Sequence, residues 1–204
     1  MTRADQSKWP LTPSQQQRYD LLRTTLRKIR GKHRPFLLTG DVGVGKTFVA
    51  RRLANRSDAY CNVAQDHLPQ LLRHRRLSDV TPEAVVRFVA QLVKESQERY
   101  IIADGFEPLL SMWAVKRPTL VPNFFLALGR AILDQPVLVI VRTSTSHLPQ
   151  DAFRRGELWP SERRCRLQLT VPDKEVVAKN WDLDPVRSRV STNLYELLAH
   201  KLEG

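Results

Sequence analysis

The chain has 204 residues, of which 42% are hydrophobic and 26% charged, as expected for a globular protein with one core. It carries 33 Lys and Arg against 21 Asp and Glu, which gives a net charge of +12 and indicates an anionic partner. No apolar run approaches the ~20 residues of a membrane span, and two cysteines exclude a disulfide framework, so we expect a cytoplasmic protein.

The first 34 residues are the most basic part of the chain, and we expect them to form a helical extension. Thr12, Pro13 and Gln15 predict the helix start, because they combine a capping box with a proline in the first turn. Its cations predict contact with backbone phosphates of DNA, without sequence reading, or with an acidic protein surface. These cations are Arg23, Arg27, Arg30, Lys32 and Arg34. A solvated basic face is the alternative that this pattern leaves open.

Residues 35–175 alternate short apolar runs with helical patterns, which is typical of a parallel sheet covered on both faces. The predicted strands are 36–39, 59–63, 100–103, 137–141 and 167–169. The predicted helices between them are 47–55, 68–76, 81–93 and 122–133. Residues 176–204 are expected to form a short C-terminal helical tail. The sequence thus predicts an α/β fold, a three-layer αβα sandwich around a five-stranded parallel sheet.

A glycine-rich loop follows the first predicted strand and fits the pattern G-x-x-x-x-G-K-[ST] in full. Its glycines allow the backbone amides to turn inward around a phosphate chain. The lysine can reach the β- and γ-phosphates, and the threonine hydroxyl can bind Mg²⁺. We therefore expect ATP and Mg²⁺ as cofactors, held by Gly40, Asp41, Val42, Gly43, Val44, Gly45, Lys46 and Thr47.

With this loop the chain resembles the P-loop NTPases. That resemblance implies an apolar strand that ends in an aspartate near the Mg²⁺, and residues 100–104, which end at Asp104, match it. Many of these ATPases place a glutamate directly after the aspartate, whereas here Gly105 follows and the next acid is Glu107. This order resembles the signalling STAND (NACHT-like) branch, and also the adenylate-type nucleotide kinases. Glu107 is our candidate for the residue that polarises the attacking water.

Two further stretches resemble the AAA+ branch. The strand at 137–141 is followed by Thr143 and Ser144, where AAA+ proteins carry a polar sensor residue. The arginines before the fifth strand resemble the stretch that carries an arginine finger for a neighbouring subunit, with Arg163 and Arg164 as first candidates. The second candidates are Arg154 and Arg155, and a solvated or nucleic-acid-facing patch is the alternative. Few residues follow position 172, so the helical lid of AAA+ modules is expected to be absent or truncated.

Together these patterns predict an ATPase that assembles with itself or with a larger partner and works on or near DNA. Its size and layout resemble the small stand-alone ATPases of BREX-type bacteriophage-defence systems. One alternative is a small-molecule or nucleotide kinase. Another is a module that binds ATP without hydrolysing it and serves a partner protein. No membrane association is expected.

Overall fold

The computed structural model describes residues 10–41, 43–54, 59–67, 79–142 and 161–168, together with Ala152, Glu157 and Trp159. The strands in these ranges are β1 (Phe36–Gly40), β2 (Tyr60–Asn62), β3 (Ile101–Asp104), β4 (Val137–Arg142) and β5 (Arg164–Leu167). The helices are α1 (Pro13–Lys28), α2 (Lys46–Leu53), α3 (Pro82–Glu95), α4 (Glu107–Lys116) and α5 (Leu120–Arg130). None of these helices is long and apolar enough to cross a membrane.

The five strands form one sheet in the order β2-β3-β4-β1-β5, and every neighbouring pair is parallel. The carboxyl ends of all strands therefore lie along one edge, which we call the carboxyl edge, and their starts lie along the amino edge. Gly40, the last residue of β1, lies opposite Arg142 of β4 and Leu167 of β5. The predicted five-stranded parallel sheet is confirmed.

Side chains that alternate along the strands divide the core into two clusters. Leu37, Val139 and their neighbours pack with α3, α4 and α5 on one face. Leu38, Ile140 and their neighbours pack with α1 and α2 on the other. Helices on both faces of a parallel sheet make the three-layer αβα architecture, as predicted.

Helix α1 begins with the predicted capping box. The Thr12 hydroxyl accepts the Gln15 amide at 3.2 Å, and the Gln15 side chain accepts the Thr12 amide at 3.0 Å. Its Leu22 and Leu26 are buried against the sheet. The first helix is therefore part of the packing of the domain, because its apolar stripe covers one face of the sheet.

Two helices differ from the prediction. Helix α4 was not expected, because its apolar residues do not form a regular stripe, but Leu109, Leu110 and Trp113 are all buried. Helix α5 ends at Arg130 rather than at Leu133, since Leu133 exchanges two backbone hydrogen bonds with His33. Strand β5 also differs from the predicted strand 167–169: it runs over Arg164–Leu167, because these residues pair with Leu37–Gly40 of β1. The predicted helix 68–76, residue Leu169 and the tail 176–204 lie outside the described residues.

Candidate nucleotide-binding site

The glycine-rich loop leaves the sheet between β1 and α2, at its carboxyl edge. Gly45 precedes α2 with φ +84°, a left-handed conformation that favours glycine. Gly40 has no room for a side chain, because a Cβ there would lie 2.5 Å from the Leu167 carbonyl oxygen of β5. In the strand order, the connection after β1 leads to β2 in one direction, and the connection after its neighbour β4 leads to β5 in the other. The carboxyl ends of two such neighbouring strands are the usual place for ligands in open parallel sheets. Val42 lies outside the described residues.

Lys46, the first residue of α2, turns its side chain back over the loop. Its Nζ donates to the carbonyl oxygens of Gly40 and Asp41, each at 2.8 Å. The residue is 7% exposed, and burial is the largest cause that lowers the pKa of its ammonium group. A phosphate beside this buried ammonium would add full negative charge to the carbonyl dipoles and to the carboxylates of Glu107, Asp104 and Asp41, which already favour its charged form.

The fold brings together Thr47 and Asp104, the two predicted metal ligands, although they are 57 positions apart in the sequence. The Thr47 hydroxyl donates to Asp104 Oδ2 at 2.8 Å, and the amide of Gly105 donates to Oδ1 at 2.7 Å. The sequence reasoning missed a third donor, Tyr60, whose hydroxyl reaches the same Oδ2 at 2.7 Å. Tyr60 lies on β2, which pairs with β3, and only the strand pairing reveals this contact.

The hydroxyl and carboxylate at this position fit a magnesium ion. Mg²⁺ prefers hard oxygen ligands and usually keeps several waters, so one or two protein side chains suffice beside the phosphates of the substrate. In the part of the chain that the structure describes, no group of three His, Cys, Asp or Glu side chains could hold a metal alone. Thr47 and Asp104 are thus the residues that would bind Mg²⁺ together with a nucleotide.

Glu107 lies at the start of α4 with its side chain 17% exposed. Burial is the main cause that raises the pKa of its carboxyl group, and the Asp104 carboxylate adds to this shift. The Glu107 backbone, Arg142 and Lys46 act in the opposite direction. Its Oε1 lies 3.6 Å from the Nε of Arg142, the last residue of β4, which the sequence reasoning did not single out.

Gln15 connects α1 to the loop. Its side-chain amide donates to the carbonyl oxygen of Val44 at 3.0 Å, and a Cβ on Gly45 would clash with the same nitrogen. The residue is 4% exposed. Gln15 was predicted only as part of the capping box, because its second contact joins residues 29 positions apart.

The candidate arginine fingers lie elsewhere. Arg163 is buried, and its guanidinium donates to the carbonyls of Pro35 at 3.2 Å and Gly129 at 3.0 Å. These contacts do not fit the predicted finger role, because a side chain that satisfies two buried carbonyls of its own chain is not free to enter a neighbour. Arg164 is half-buried at the start of β5. The other candidates, Thr143, Ser144, Arg154 and Arg155, lie outside the described residues.

The predicted basic residues lie along α1 and the segment that follows it. Arg23, Arg30, Lys32 and Arg34 are exposed, while Arg27 is half-buried. Arg99, which was not predicted, joins them near the start of β3, and its guanidinium donates to the carbonyl of Arg27. The basic residues from Arg27 onward thus lie toward the amino edge, away from the glycine-rich loop.

No family model matches the sequence, and no curated protein matches it. Among solved structures, the chain is similar to the Orc1 protein of Aeropyrum pernix, whose structure was determined in complex with DNA. The two share 15% identity with a TM-score of 0.46, over 86% of this chain and 51% of that one. The chain therefore spans about half the length of that protein.

Proposed function

We propose that this chain is a magnesium-dependent ATPase of the P-loop, AAA+/STAND-like group. The observation that carries the proposal is the meeting of Lys46, Thr47 and Asp104 at the carboxyl edge, where the hydroxyl and the carboxylate bond each other at 2.8 Å. The sequence motif alone predicts a phosphate loop. The contact between the Thr47 hydroxyl and the Asp104 carboxylate supports the proposal, because these are the kinds of group that hold Mg²⁺ on a phosphate chain in P-loop NTPases.

Each residue of the site has a role in ATP hydrolysis. The amides of the loop and the start of α2 bind the phosphate oxygens, because the N-terminus of a helix attracts anions. Lys46 exchanges its two carbonyl acceptors for oxygens of the β- and γ-phosphates. When bound, Mg²⁺ neutralises charge that develops on the phosphates. Glu107 accepts a proton from the attacking water, and its raised pKa suits it to that task.

The proposal extends to a nucleotide-dependent assembly switch that works on or near DNA. The exposed cations of α1 and of residues 30–34 support it, since exposed Arg and Lys bind DNA phosphates without reading sequence. A role in bacteriophage defence of the BREX type follows from the resemblance in size and layout. The last part of the proposal is self-assembly. In the assembled form, Arg164 is the arginine finger for the neighbouring subunit, and Thr143 or Ser144 is the polar sensor residue.

The first experiment follows labelled ATP through incubation of the full chain with Mg²⁺, with and without DNA. We expect release of phosphate without an acceptor, and loss of both binding and release in Lys46→Ala. The matched control is Lys94→Ala, an exposed lysine in the last turn of α3. Label transferred to a nucleoside monophosphate would show a kinase instead. Nucleotide that binds and never turns over would show a binding module.

Assembly is measured by light scattering with and without a slowly hydrolysed ATP analogue. We expect the mass of the particle to rise with the analogue and to stay at that of the free chain in Lys46→Ala. An unchanged mass in the wild type would remove self-assembly from the proposal and leave the ATPase in place.

A further inference from the structure

The carboxylate of Asp104 accepts hydrogen bonds from three different parts of the fold. The Thr47 hydroxyl of α2 donates to Oδ2, and the amide of Gly105, the next residue along the chain, donates to Oδ1. The third donor is the Tyr60 hydroxyl of β2, which reaches Oδ2 at 2.7 Å. Because a carboxylate has about four acceptor positions, these contacts leave about one for a further donor such as a metal-bound water.

The position of Tyr60 is fixed by the sheet and by packing. Strand β2 pairs with β3 in parallel, with Tyr60 opposite Ile102. Its ring packs against the core cluster between the sheet and helices α1 and α2. The Arg51 guanidinium of α2 lies 5.3 Å from the centre of the ring, within the range of a cation–π contact. Because strand, core and guanidinium all hold the ring, the hydroxyl has little freedom to leave Asp104.

The phenol group of Tyr60 is the donor in its bond to Asp104. An ionised carboxylate can only accept hydrogen bonds, so the proton of this bond belongs to the hydroxyl. Burial is the largest cause that raises the pKa of Tyr60, and the Asp104 carboxylate adds to the shift, while Arg51 acts in the opposite direction. The hydroxyl therefore keeps its proton at neutral pH.

The orientation of this carboxylate matters for a magnesium ion, because Mg²⁺ demands near-ideal octahedral geometry and keeps several of its waters. A carboxylate that rotates freely loses that freedom when the metal binds, whereas one that is already held has lost it on folding. Groups that hydrogen-bond a metal-binding carboxylate from outside orient it, and their removal typically lowers metal affinity by about 10–100-fold. Tyr60 is such a group, since it binds the same oxygen of Asp104 as the Thr47 hydroxyl does.

We propose that Tyr60 is a positioning residue of the magnesium site, which orients the Asp104 carboxylate beside the Thr47 hydroxyl and thereby raises the affinity of the site for Mg²⁺. The inference rests on the proposed ATPase function and adds a residue of β2 to it. Tyr60 acts through Asp104 and needs no contact of its own with the nucleotide. Its effect therefore belongs to the binding of nucleotide together with Mg²⁺, and not to the binding of nucleotide without the metal.

The experiment compares the full-length wild type with Tyr60→Phe, which keeps the ring and removes only the hydroxyl. The matched control is Tyr100→Phe, because the Tyr100 hydroxyl donates to the carbonyl of Leu53 at the far end of α2, away from the glycine-rich loop. Binding of the slowly hydrolysed analogue AMP-PNP is titrated at increasing Mg²⁺ concentrations, and again in EDTA. Thermal unfolding of each variant is measured in parallel.

For Tyr60→Phe we expect the Mg²⁺ concentration that gives half-maximal binding of the analogue to rise about tenfold or more. We expect its affinity for the analogue in EDTA to stay at the wild-type value. For Tyr100→Phe we expect a lowered Tm and an unchanged Mg²⁺ midpoint. When 4-aminophenylalanine replaces Tyr60, an N–H donor is kept at the end of the ring, and we expect the wild-type midpoint to return.

An unchanged Mg²⁺ midpoint in Tyr60→Phe overturns the inference. An equal loss of affinity with Mg²⁺ and in EDTA, or an equal shift in Tyr100→Phe, also overturns it, because each would show a role in the fold alone. If Tyr60→Phe does not fold, Tyr60→His serves instead, since its shorter ring lacks the phenol hydroxyl, and a wild-type midpoint there has the same meaning. A wild type that binds no nucleotide defeats the proposed function itself. Magnesium-dependent binding that is lost in Lys46→Ala but unaffected in Tyr60→Phe defeats only this inference.

Discussion

At the scale of single residues, the site combines a local motif with residues from the ends of two further strands. Lys46 and Thr47 belong to the loop and its helix, while Asp104 and Arg142 end β3 and β4. Parallel strands bring these ends to one edge, so charged groups that are far apart in sequence share one small space. The electrostatics of Glu107 follow from this arrangement, because burial and Asp104 oppose its ionisation and two cations favour it.

The pH dependence of hydrolysis tests Glu107. The carboxylate must be ionised to accept a proton, so hydrolysis falls as the pH drops through its pKa. Because burial raises that pKa above the ordinary 4.5, the fall begins at a higher pH than for an exposed glutamate. We expect Glu107→Gln to keep ATP binding, lose this acidic limb and hydrolyse ATP about 100-fold more slowly. Steady-state rates of ATP hydrolysis between pH 4.5 and 8, for the wild type and the variant, measure this pH dependence.

The control is Glu95→Gln, an exposed glutamate at the end of α3, which should leave both rate and profile unchanged. A variant of Glu107 with wild-type turnover would show that another group activates the water.

At the scale of elements, α1 is tied to the nucleotide site by one side chain. Gln15 caps its own helix through Thr12 and binds the loop through the Val44 carbonyl. The loop conformation and the placement of α1 therefore depend on each other. Arg163 also connects separate elements. It directly precedes β5, and its guanidinium binds the carbonyl of Pro35, just before β1, and that of Gly129, near the end of α5.

Gln15→Ala tests the tie between α1 and the loop. The variant loses the bond to Val44, and a hydrogen bond contributes about 1 kcal/mol, so we expect about fivefold weaker ATP binding. Equilibrium titration with ATP measures this, and thermal unfolding reports the loss of the cap. Gln16→Ala is the matched control, since the hydrogen bond described for the Gln16 side chain goes to Asp20, within α1 itself. Unchanged ATP affinity together with a lowered Tm would show that Gln15 acts only as a helix cap.

Arg163→Met tests whether this arginine is structural. The substitution leaves the buried carbonyls of Pro35 and Gly129 without their donor, and each unsatisfied group costs about 1–3 kcal/mol. We expect the free energy of unfolding in urea to fall by at least that much. Arg166→Met, on the exposed side of β5, is the control. Full stability combined with loss of turnover only in the assembled state would restore the arginine-finger role.

At the scale of the whole molecule, in the part of the chain that the structure describes, the candidate nucleotide site and a group of basic residues lie at opposite edges of one sheet. The glycine-rich loop lies at the carboxyl edge, and the cations from Arg27 to Arg34 lie toward the amino edge. Helix α1, about 24 Å long at 1.5 Å per residue, runs between them. Under the proposed function, α1 contacts the glycine-rich loop through Gln15 and carries cations of the proposed DNA surface in its last turn.

The salt dependence of DNA binding tests the basic surface. We expect duplex DNA of any sequence to bind the full chain, with log K falling against log salt by about 0.9 per phosphate contacted. Replacing Arg23, Arg27 and Arg30 by glutamine should weaken binding and reduce that slope. Fluorescence anisotropy at several salt concentrations measures both.

A control with the same change in net charge replaces Arg87, Lys94 and Lys116, three exposed cations of α3 and α4. Equal weakening in the two triple variants would indicate attraction by net charge alone, and a flat salt response would exclude DNA from the partners.

The sequence by itself determined the glycine-rich loop, the alternation of strands and helices, the cap at Thr12 and the position of Asp104 at the end of an apolar strand. Each of these features lies within a short stretch of consecutive residues, because loops, caps and apolar strands depend on local spacing. Only the tertiary structure decided that Tyr60 binds Asp104, that Gln15 holds the loop, that Arg142 pairs with Glu107 and that Arg163 is buried. These contacts depend on which strands are neighbours and in what register, and no short stretch of sequence carries that information.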